Sequence, residues 1–430
     1  MEEKKKGLGC GSIFLMFLVW LIALPFVAGL DSSDHIDNDA PDISYTTPAD
    51  ETDTTSQTEI EYDTTIPETV ETTKATETQP SDDDFKDNKR GRMYNYLNDT
   101  EKIIYDELTN AISDGKLEIT FKNIDYDEYL EATYKAHDAE YGDHPEFLWF
   151  NNGWQASSGF SFNGENITIK SGCYDYWKYT MDKDKYIDAT LNAARNLANK
   201  AKNLPDDYDK IKYVHNYLVK NVTYDDVCVA EINKTKTKAS SQQSHTAYGA
   251  LVNNLAVCDG YTKAFQLVMN MLDIECEYID GIATSPHAWN YMNLDGNYYW
   301  MDVTWDDLDL EDYPDGVSYS YFNTTDKEFL KSHTPESDLF IPNCLSTHYS
   351  FFTKENAYMD TYNFKEFKKI VTNQKDEPIV HVKFKNKNEM QKALDDLFGK
   401  NPRFDEIFDS KNIPSYSSDD DTLVISLYLD

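Results

Sequence analysis

The most informative stretch of the chain begins with Ala256-Val257-Cys258-Asp259-Gly260-Tyr261. Apolar side chains recur from there at helical spacing, at Tyr261, Ala264, Phe265, Val268, Met271 and Leu272. This pattern predicts a buried helix with Cys258 at its N-terminus. The N–H groups and the helix dipole at that end favour a thiolate over a thiol, as a nucleophilic cysteine requires. Cys258 is therefore the candidate nucleophile.

Taken alone, Cys258 has a simpler interpretation as a small buried hydrophobic side chain, which is the commonest role of a cysteine thiol. Asp259 also places a negative charge beside the sulfur. A nucleophilic Cys258 would therefore need a cationic imidazole nearby to offset that charge. A second pattern, further along the chain, decides between the two interpretations.

Two strand-like segments follow the helix, at 287–294 and 297–304. Between them lies Asp295-Gly296, the favoured two-residue turn of a β-hairpin. This turn predicts a register in which Leu294 lies opposite Asn297. Continued along both strands, the register brings two polar residues of the hairpin together.

Thr304 would face His287 in this register, and Asp302 would lie diagonally across from His287 on the same face. Diagonal neighbours are about 7–8 Å apart at the backbone, close enough for a carboxylate to meet an imidazole. A carboxylate on one ring nitrogen fixes the tautomer, so that the other nitrogen can take the proton from a thiol. With Cys258, these residues form a predicted Cys–His–Asp triad. A three-residue turn would separate His287 from Asp302.

At these residues the chain resembles the transglutaminase-like (papain-like fold) superfamily, in particular its large exported bacterial members. The matching elements are Tyr248-Gly249-Ala250-Leu251, Val257-Cys258-Asp259-Gly260-Tyr261, His287-Ala288-Trp289-Asn290 and Asp302-Val303-Thr304-Trp305-Asp306-Asp307. The resemblance implies Cys258 as nucleophile, His287 as general base and acid, and Asp302 as the carboxylate that orients His287. It also implies an α+β fold, with the nucleophile-bearing helix packed on an antiparallel sheet and small α/β units at its flanks.

The chain departs from the papain pattern six residues before the nucleophile, where Val252 stands in place of glutamine. The oxyanion would then rest on the backbone N–H of Cys258 and a second donor, for which Tyr248 is the candidate. The alternative for Tyr248 is ordinary packing in the core. Trp289 and Trp305 flank the predicted histidine and carboxylate and are the candidates for substrate binding.

A targeting segment occupies residues 1–30. Lys4, Lys5 and Lys6 precede an apolar run from Ile13 to Leu30. Basic residues before such a run keep that end in the cytoplasm, so the rest of the chain is expected to be exported. The run fits either an uncleaved membrane anchor or a cleaved signal peptide. The expected location is the outer face of the cell membrane, or the medium if the segment is cleaved.

Residues 31–92 are rich in Thr, Asp, Glu, Ser and Pro and carry few large apolar side chains. Such a segment is predicted to be a disordered acidic linker. The formal net charge of the chain is -37. This charge argues against nucleic acid as a partner and against docking on an anionic membrane through a basic patch.

The rest of the chain divides into an N-terminal α/β subdomain (93–185), a catalytic core (186–335) and a small C-terminal α/β region (336–430). Hydrophobic periodicity predicts helices at Thr100–Ala111 with Thr100 as N-cap, at 186–203, at 206–220 and at Glu389–Phe398, and strands at Leu117–Phe121, Phe160–Ile169, Ile379–Phe384 and Thr422–Leu429. The polar residues that follow Cys228, among them Lys234, Lys236, Lys238 and Gln243, predict a surface loop.

No metal or cofactor is expected. His215, His245 and His287 lack the spacing of known metal-ligand motifs. The acidic residues Asp306, Asp307, Asp309, Glu311, Asp312 and Asp315 do not follow the EF-hand pattern and predict a solvated loop. With Cys10 in the targeting segment and Cys258 as nucleophile, Cys173, Cys228, Cys276 and Cys344 allow three disulfide pairings or none.

Two functions are open at this point. The first is an exported cysteine enzyme that acts on amide bonds of a protein or peptide substrate, cell-wall or surface-associated substrates included. It would work through a thioester that water or an amine resolves. The second is a non-catalytic surface module that uses a papain-like fold, with its many Tyr and Trp side chains, as a binding platform.

Overall fold

The structure is a computed structural model that describes residues 90–174, 183–231, 242–308, 313, 316–336, 339–408 and 415–429. The predicted targeting segment, almost all of the predicted linker, the loop lysines 234, 236 and 238, and the acidic residues 309, 311, 312 and 315 lie outside these residues. Within the described ranges, no helix has the length and apolar character needed to cross a membrane.

The described helices come from all three predicted parts of the chain. They are α1 (Asp99–Ser113), α2 (Tyr126–Asp143), α3 (Lys183–Ala201), α4 (Asp207–Asn221), α5 (Asp226–Glu231), α6 (Cys258–Met271), α7 (Asp326–Phe329), α8 (Phe351–Lys354), α9 (Phe364–Asn373) and α10 (Lys387–Phe398). A π-helical turn lies at Gly249–Asn253, and 3-10 turns lie at Met93–Tyr96 and Phe404–Glu406.

The described strands are β1 (Glu118–Ile124), β2 (Phe150–Ser161), β3 (Gly164–Cys173), β4 (Thr223–Tyr224), β5 (Leu255–Ala256), β6 (Glu275–Ile282), β7 (Pro286–Leu294), β8 (Asn297–Met301), β9 (Thr334–Pro335), β10 (Tyr358–Met359), β11 (Ile379–Phe384), β12 (Ser415–Asp419) and β13 (Val424–Tyr428). They form sheets of order β1-β3-β2, β8-β7-β6-β9 and β10-β11-β13-β12, and a short β4-β5 pair. The first two of these sheets are antiparallel throughout. The predicted α+β class is confirmed.

The predicted buried helix is α6, and it packs against the central β6–β7 pair. Its periodic residues Tyr261, Ala264, Phe265 and Val268 are fully buried. Gly260 allows its first turn to approach the chain at Ser244, because a Cβ there would lie 2.4 Å from the Ser244 carbonyl oxygen. This close contact holds the first turn of α6, which begins at Cys258, against Ser244.

The predicted hairpin register is confirmed, with Leu294 opposite Asn297 and Asn290 opposite Met301. Asp295 and Gly296 both have positive φ, 52° and 78°, as the two central residues of a type I′ turn require. The second strand was predicted too long, however. It ends at Met301, so Thr304 lies in a turn and not opposite His287.

Two other predictions at helix and strand ends need correction, and helix α2 was not predicted. Helix α1 begins at Asp99, and its N-cap is Asn98 rather than Thr100, because Asn98 and Glu101 form a reciprocal capping box. The predicted strand Phe160–Ile169 crosses the turn between β2 and β3. Helix α2 was not predicted, because its buried hydrophobic residues are mostly small alanines, which give little periodic signal.

The C-terminal sheet is joined to the core through His381 on β11. The ring of His381 donates from Nε2 to the carbonyl of Val317 at 2.7 Å, and its Nδ1 lies 2.9 Å from Ser426 Oγ. Burial lowers the pKa of His381 to about 4, although the bond to Val317 opposes this shift. The buried ring is therefore neutral at physiological pH.

This buried ring predicts a loss of stability in acid. The folded pKa lies below the unfolded value of about 6.5, so the unfolded chain takes up the proton first. The contribution is complete above about pH 6.5 and is lost as the pH falls towards 4. The free energy of unfolding, measured with urea at pH 6.5 and at pH 4, should fall by about 3 kcal/mol more in wild type than in H381Q, which keeps a neutral donor. Equal losses in both proteins would contradict this role for His381.

Candidate active site

Cys258 is the first residue of α6, and its side chain is partly exposed. The residue before it, Val257, donates its backbone N–H to the carbonyl of Ser244 at 2.9 Å and so fixes the entry of the chain into the helix. Val257 is the N-cap and has no polar side chain. The positive end of the helix dipole therefore acts on the sulfur without competition from a capping side chain.

His287 lies near the start of β7 and is mostly buried. Its Nε2 is 2.7 Å from Asp302 Oδ2, which leaves Nδ1 as the ring nitrogen available to the Cys258 sulfur. Burial opposes charge on the ring, but the Asp302 carboxylate and the hydrogen bond with Cys258 outweigh it and hold the pKa of His287 well above its usual range. The arrangement favours the imidazolium form of His287 beside the sulfur.

Asp302 follows β8 directly and is fully buried. Its Oδ1 accepts the backbone N–H of Trp305 at 3.0 Å. Its Oδ2 accepts from His287, and a second histidine, His333, places Nε2 3.0 Å from the same oxygen. Burial alone would raise the pKa of Asp302, but the two histidines keep it well below its usual range. The carboxylate stays charged and fixed in orientation.

His333, which precedes β9 and is fully buried, is a functional residue that no sequence pattern indicated. Its Nδ1 lies 2.9 Å from Ser332 Oγ, and its ring stacks on Phe329 with centroids 4.0 Å apart. The Trp305 ring lies 4.5 Å away on centroids. No sequence pattern links His333 to Asp302, because 31 residues separate them and their contact exists only in the tertiary fold.

Among the described residues, His287, Asp302 and His333 are also the one group of three whose ligand-type atoms lie within 4.8 Å of one another. Their nitrogen–oxygen distances of 2.7 and 3.0 Å are those of charge-assisted hydrogen bonds. The two imidazoles and the carboxylate satisfy one another in this geometry. The group therefore fits a proton-transfer arrangement better than a metal site.

Because His333 holds Asp302, its loss should weaken catalysis without touching the substrate. We expect H333F, which keeps an aromatic ring but loses the donor, to lower kcat/KM by about 10-fold, the worth of one hydrogen bond to a charged group. H333Q retains an N–H donor and should recover most of the loss. The pH dependence of kcat/KM checks the role, because a displaced Asp302 lowers the pKa of His287. An unchanged pH profile in H333F would contradict it.

Residues 195–305 match the family model described as "Transglutaminase-like superfamily". The matched segment contains Cys258, His287 and Asp302. Residues 195–305 are therefore similar to a transglutaminase-like core. Members of this superfamily are usually cysteine hydrolases or acyltransferases. A comparison with curated proteins finds no match.

Two solved structures are similar to parts of the chain. One is described as a TGase; it has 16% identity and a TM-score of 0.26, over 44% of this chain and 50% of that one. The other, from Cytophaga hutchinsonii, is described as a "Putative Cysteine Protease"; it has 12% identity and a TM-score of 0.23, over 42% of this chain and 64% of that one. The chain thus spans half the length of the first structure and just under two thirds of the length of the second.

The three candidate residues for oxyanion and substrate binding differ in how exposed their side chains are. Trp289 is fully buried, with its ring centroid 5.0 Å from that of His333, so the structure gives it no exposed surface and its substrate-binding role stays a prediction. Trp305 is partly exposed, 5.7 Å from the His287 ring, and remains a candidate. Tyr248 is partly buried with its ring against Tyr186, and its oxyanion role stays a prediction.

The acidic residues after the triad are also less exposed than predicted. Asp306 is fully buried, and its Oδ2 pairs with His215 Nε2 at 3.2 Å. Asp307 lies 2.6 Å from the Tyr261 hydroxyl through its Oδ2. The prediction of a solvated loop is therefore wrong for Asp306, whereas Asp307 is partly exposed; the two side chains contact α4 and α6. The five described cysteines are thiols, so the option without disulfides holds for them.

The negative charge expected beside Cys258 is matched by a histidine. Asp259 Oδ2 lies 2.7 Å from His245 Nδ1, and its Oδ1 accepts the hydroxyl of Tyr278 at 2.8 Å. Burial acts to raise the pKa of Asp259, but the bond and charge of His245 lower it below its usual value. The negative charge of Asp259 at the start of α6 is therefore balanced by His245.

Proposed function

We propose that the protein is an exported cysteine enzyme that acts on amide bonds of proteins or peptides through a thioester. The observation that carries the proposal is the bond between His287 Nε2 and Asp302, which orients Nδ1 towards Cys258 at the start of α6. The raised pKa of His287 also supports the proposal, because a buried ring keeps a positive charge only beside a negative sulfur or carboxylate. The match of 195–305 to a superfamily of cysteine enzymes agrees.

The reaction begins with attack of the Cys258 sulfur on a carboxamide carbonyl carbon. A carbon–sulfur bond forms, and negative charge develops on the carbonyl oxygen near the backbone N–H of Cys258 and, as a candidate, Tyr248. His287 then gives its proton to the leaving nitrogen as the carbon–nitrogen bond breaks. Asp302 holds the ring throughout, so the same nitrogen can next take a proton from the incoming nucleophile.

The second half of the reaction depends on what reaches the thioester. Water gives hydrolysis of a peptide bond or deamidation of a side chain, whereas a lysine amine gives a cross-link. We favour hydrolysis, because water is always present in excess. Acyl transfer to an amine would require that the site exclude water while admitting the amine.

The proposed location follows from the N-terminal sequence. The basic start and apolar run of residues 1–30 would export the chain and either anchor it or be cleaved. A flexible linker of about 60 residues would allow the catalytic part to reach roughly 40 Å from the membrane. The substrate would then be a protein or peptide at or near the cell surface.

One assay separates the possible reactions. The purified protein is incubated with a library of glutamine- and asparagine-containing peptides and a small primary amine, and the products are read by mass spectrometry. Cleavage, deamidation and amine incorporation each give a different mass. We expect one of the three to depend on Cys258. If no peptide changes in wild type beyond the level seen with C258A, the enzyme proposal fails and a binding module becomes the better explanation.

A further inference from the structure

A second arrangement of sulfur, imidazole and carboxylate lies beside the triad. Cys228 Sγ is 3.4 Å from His245 Nε2, and His245 Nδ1 is 2.7 Å from Asp259 Oδ2. The order of groups is the same as in Cys258–His287–Asp302. Asp259 directly follows Cys258 in the chain, so the two arrangements adjoin at the start of α6.

The second arrangement is held in place by buried contacts. Asp225 accepts the backbone N–H of Cys228 at 2.9 Å through Oδ1 and the hydroxyl of Ser244 at 2.5 Å through Oδ2. One carboxylate thereby fixes both the residue that carries the sulfur and the neighbour of His245. The ring of Tyr174 stacks on His245 with centroids 5.8 Å apart.

The charges around His245 favour a cation. Burial acts against it, but the bonds to Asp259 and Cys228 raise the pKa of His245 to about 10. Asp259 also faces Tyr278 and the positive charge of Lys263, and Asp225 faces the backbone side of Cys228. An imidazolium 3.4 Å from a sulfur stabilises the thiolate, which is the reactive form of cysteine.

The exposure of the three groups limits what can reach the sulfur. Cys228 is only 2% exposed, whereas the side chains of His245 and Asp259 are each 22% exposed. So little exposed surface on the sulfur favours contact with a molecule as small as a hydroperoxide over contact with a tripeptide thiol. The site therefore favours a small oxidant over a large disulfide.

From this geometry we propose that Cys228 is a second reactive thiol, activated by His245, that a hydroperoxide oxidises to a sulfenic acid. The Cys228 thiolate attacks one peroxide oxygen, so that a sulfur–oxygen bond forms and the oxygen–oxygen bond breaks. Sulfur is oxidised by two electrons and the peroxide is reduced. His245 gives its Nε2 proton to the leaving oxygen, which departs as water when the oxidant is hydrogen peroxide.

Two other thiols of the chain provide internal references. Cys276 is fully buried in β6, and burial raises its pKa well above the usual value. Cys344 is also fully buried, and burial raises its pKa in the same direction. Both should oxidise slowly in the same molecule in which Cys228 oxidises quickly.

The test uses full-length protein with Cys258→Ser, so that the nucleophile of the proposed enzyme is absent and its activity plays no part. Hydrogen peroxide is added together with dimedone, which traps sulfenic acids, and each cysteine is followed by peptide mass spectrometry. Cys228 should be trapped at least ~10-fold faster than Cys276 and Cys344, as expected for a thiolate beside a cation. Adding H245Q should remove this advantage, whereas H348Q, at an exposed histidine, should leave it unchanged.

Trapping of Cys228 at the rate of Cys276 would overturn the proposal, and so would an advantage that survives H245Q in folded protein. Thermal unfolding of each variant shows whether it is folded. If H245Q does not fold, the comparison of the three thiols within the Cys258→Ser protein still decides, because it needs no change at His245.

Discussion

Replacing Cys258 by alanine should lower kcat/KM for every amide substrate by at least about 10⁴-fold, the scale of losing a catalytic nucleophile. The reason is that the sulfur that forms the thioester is lost, and the neighbouring thiol of Cys228 is only 2% exposed. Because Cys258 is partly exposed and its side chain is small, the protein should remain folded. The same variant should lose its fast reaction with a thiol-directed electrophile such as iodoacetamide.

Cys173→Ala is the matched control, since Cys173 is also partly exposed but lies at the end of β3. It should retain wild-type kcat/KM. Thermal unfolding of both variants separates a chemical loss from a loss of fold. Turnover of any wild-type substrate by folded C258A at a wild-type rate would end the enzyme proposal.

Replacing Asp302 by asparagine should lower kcat/KM by about 10³–10⁴-fold, as loss of the orienting carboxylate does in other triads. Asp302 accepts hydrogen bonds with both oxygens, from His287 and His333 at Oδ2 and from the Trp305 N–H at Oδ1. An asparagine amide has only one accepting oxygen, so it cannot accept from all of these donors. Without the carboxylate, the pKa of His287 should fall, because Asp302 is its strongest charged partner. The fall should appear as a shift of the pH profile of kcat/KM to lower pH.

Asp306→Asn provides a control of matched burial. Asp306 is also fully buried and also bonds a histidine, but its partner is His215 on α4. We expect this variant to be destabilised and yet to keep kcat/KM within a few fold when assayed below its unfolding temperature. If D302N and D306N lower kcat/KM equally, Asp302 acts through stability and not through His287.

The local features of the fold were predictable because they depend on residues close in sequence. Helix α6 follows from a 3.6-residue apolar period, and the β7–β8 register follows from the Asp295-Gly296 turn. Once the register is set, the bond between His287 and Asp302 is within reach. Where local signals were weak, as in α2, prediction failed.

Contacts between distant segments were not predictable in the same way. The burial of Trp289 depends on Phe329 and His333 packing over β7, and the burial of Asp306 depends on α4 supplying His215. None of these three partners belongs to the same periodic pattern or motif as the residue that it covers. The sequence therefore indicated exposed roles for both side chains.

By itself, the sequence determined the helix that begins at Cys258 and the hairpin register, because turn chemistry and hydrophobic periodicity act within a few residues, whereas the α+β class was implied by the family resemblance. Only the tertiary structure placed His333 on Asp302 and His245 between Cys228 and Asp259. Those contacts join segments 14 to 31 residues apart, and the free energy that holds them comes from burial and charge pairing across the core. Such pairing has no local signature, so it becomes visible only when the chain has folded.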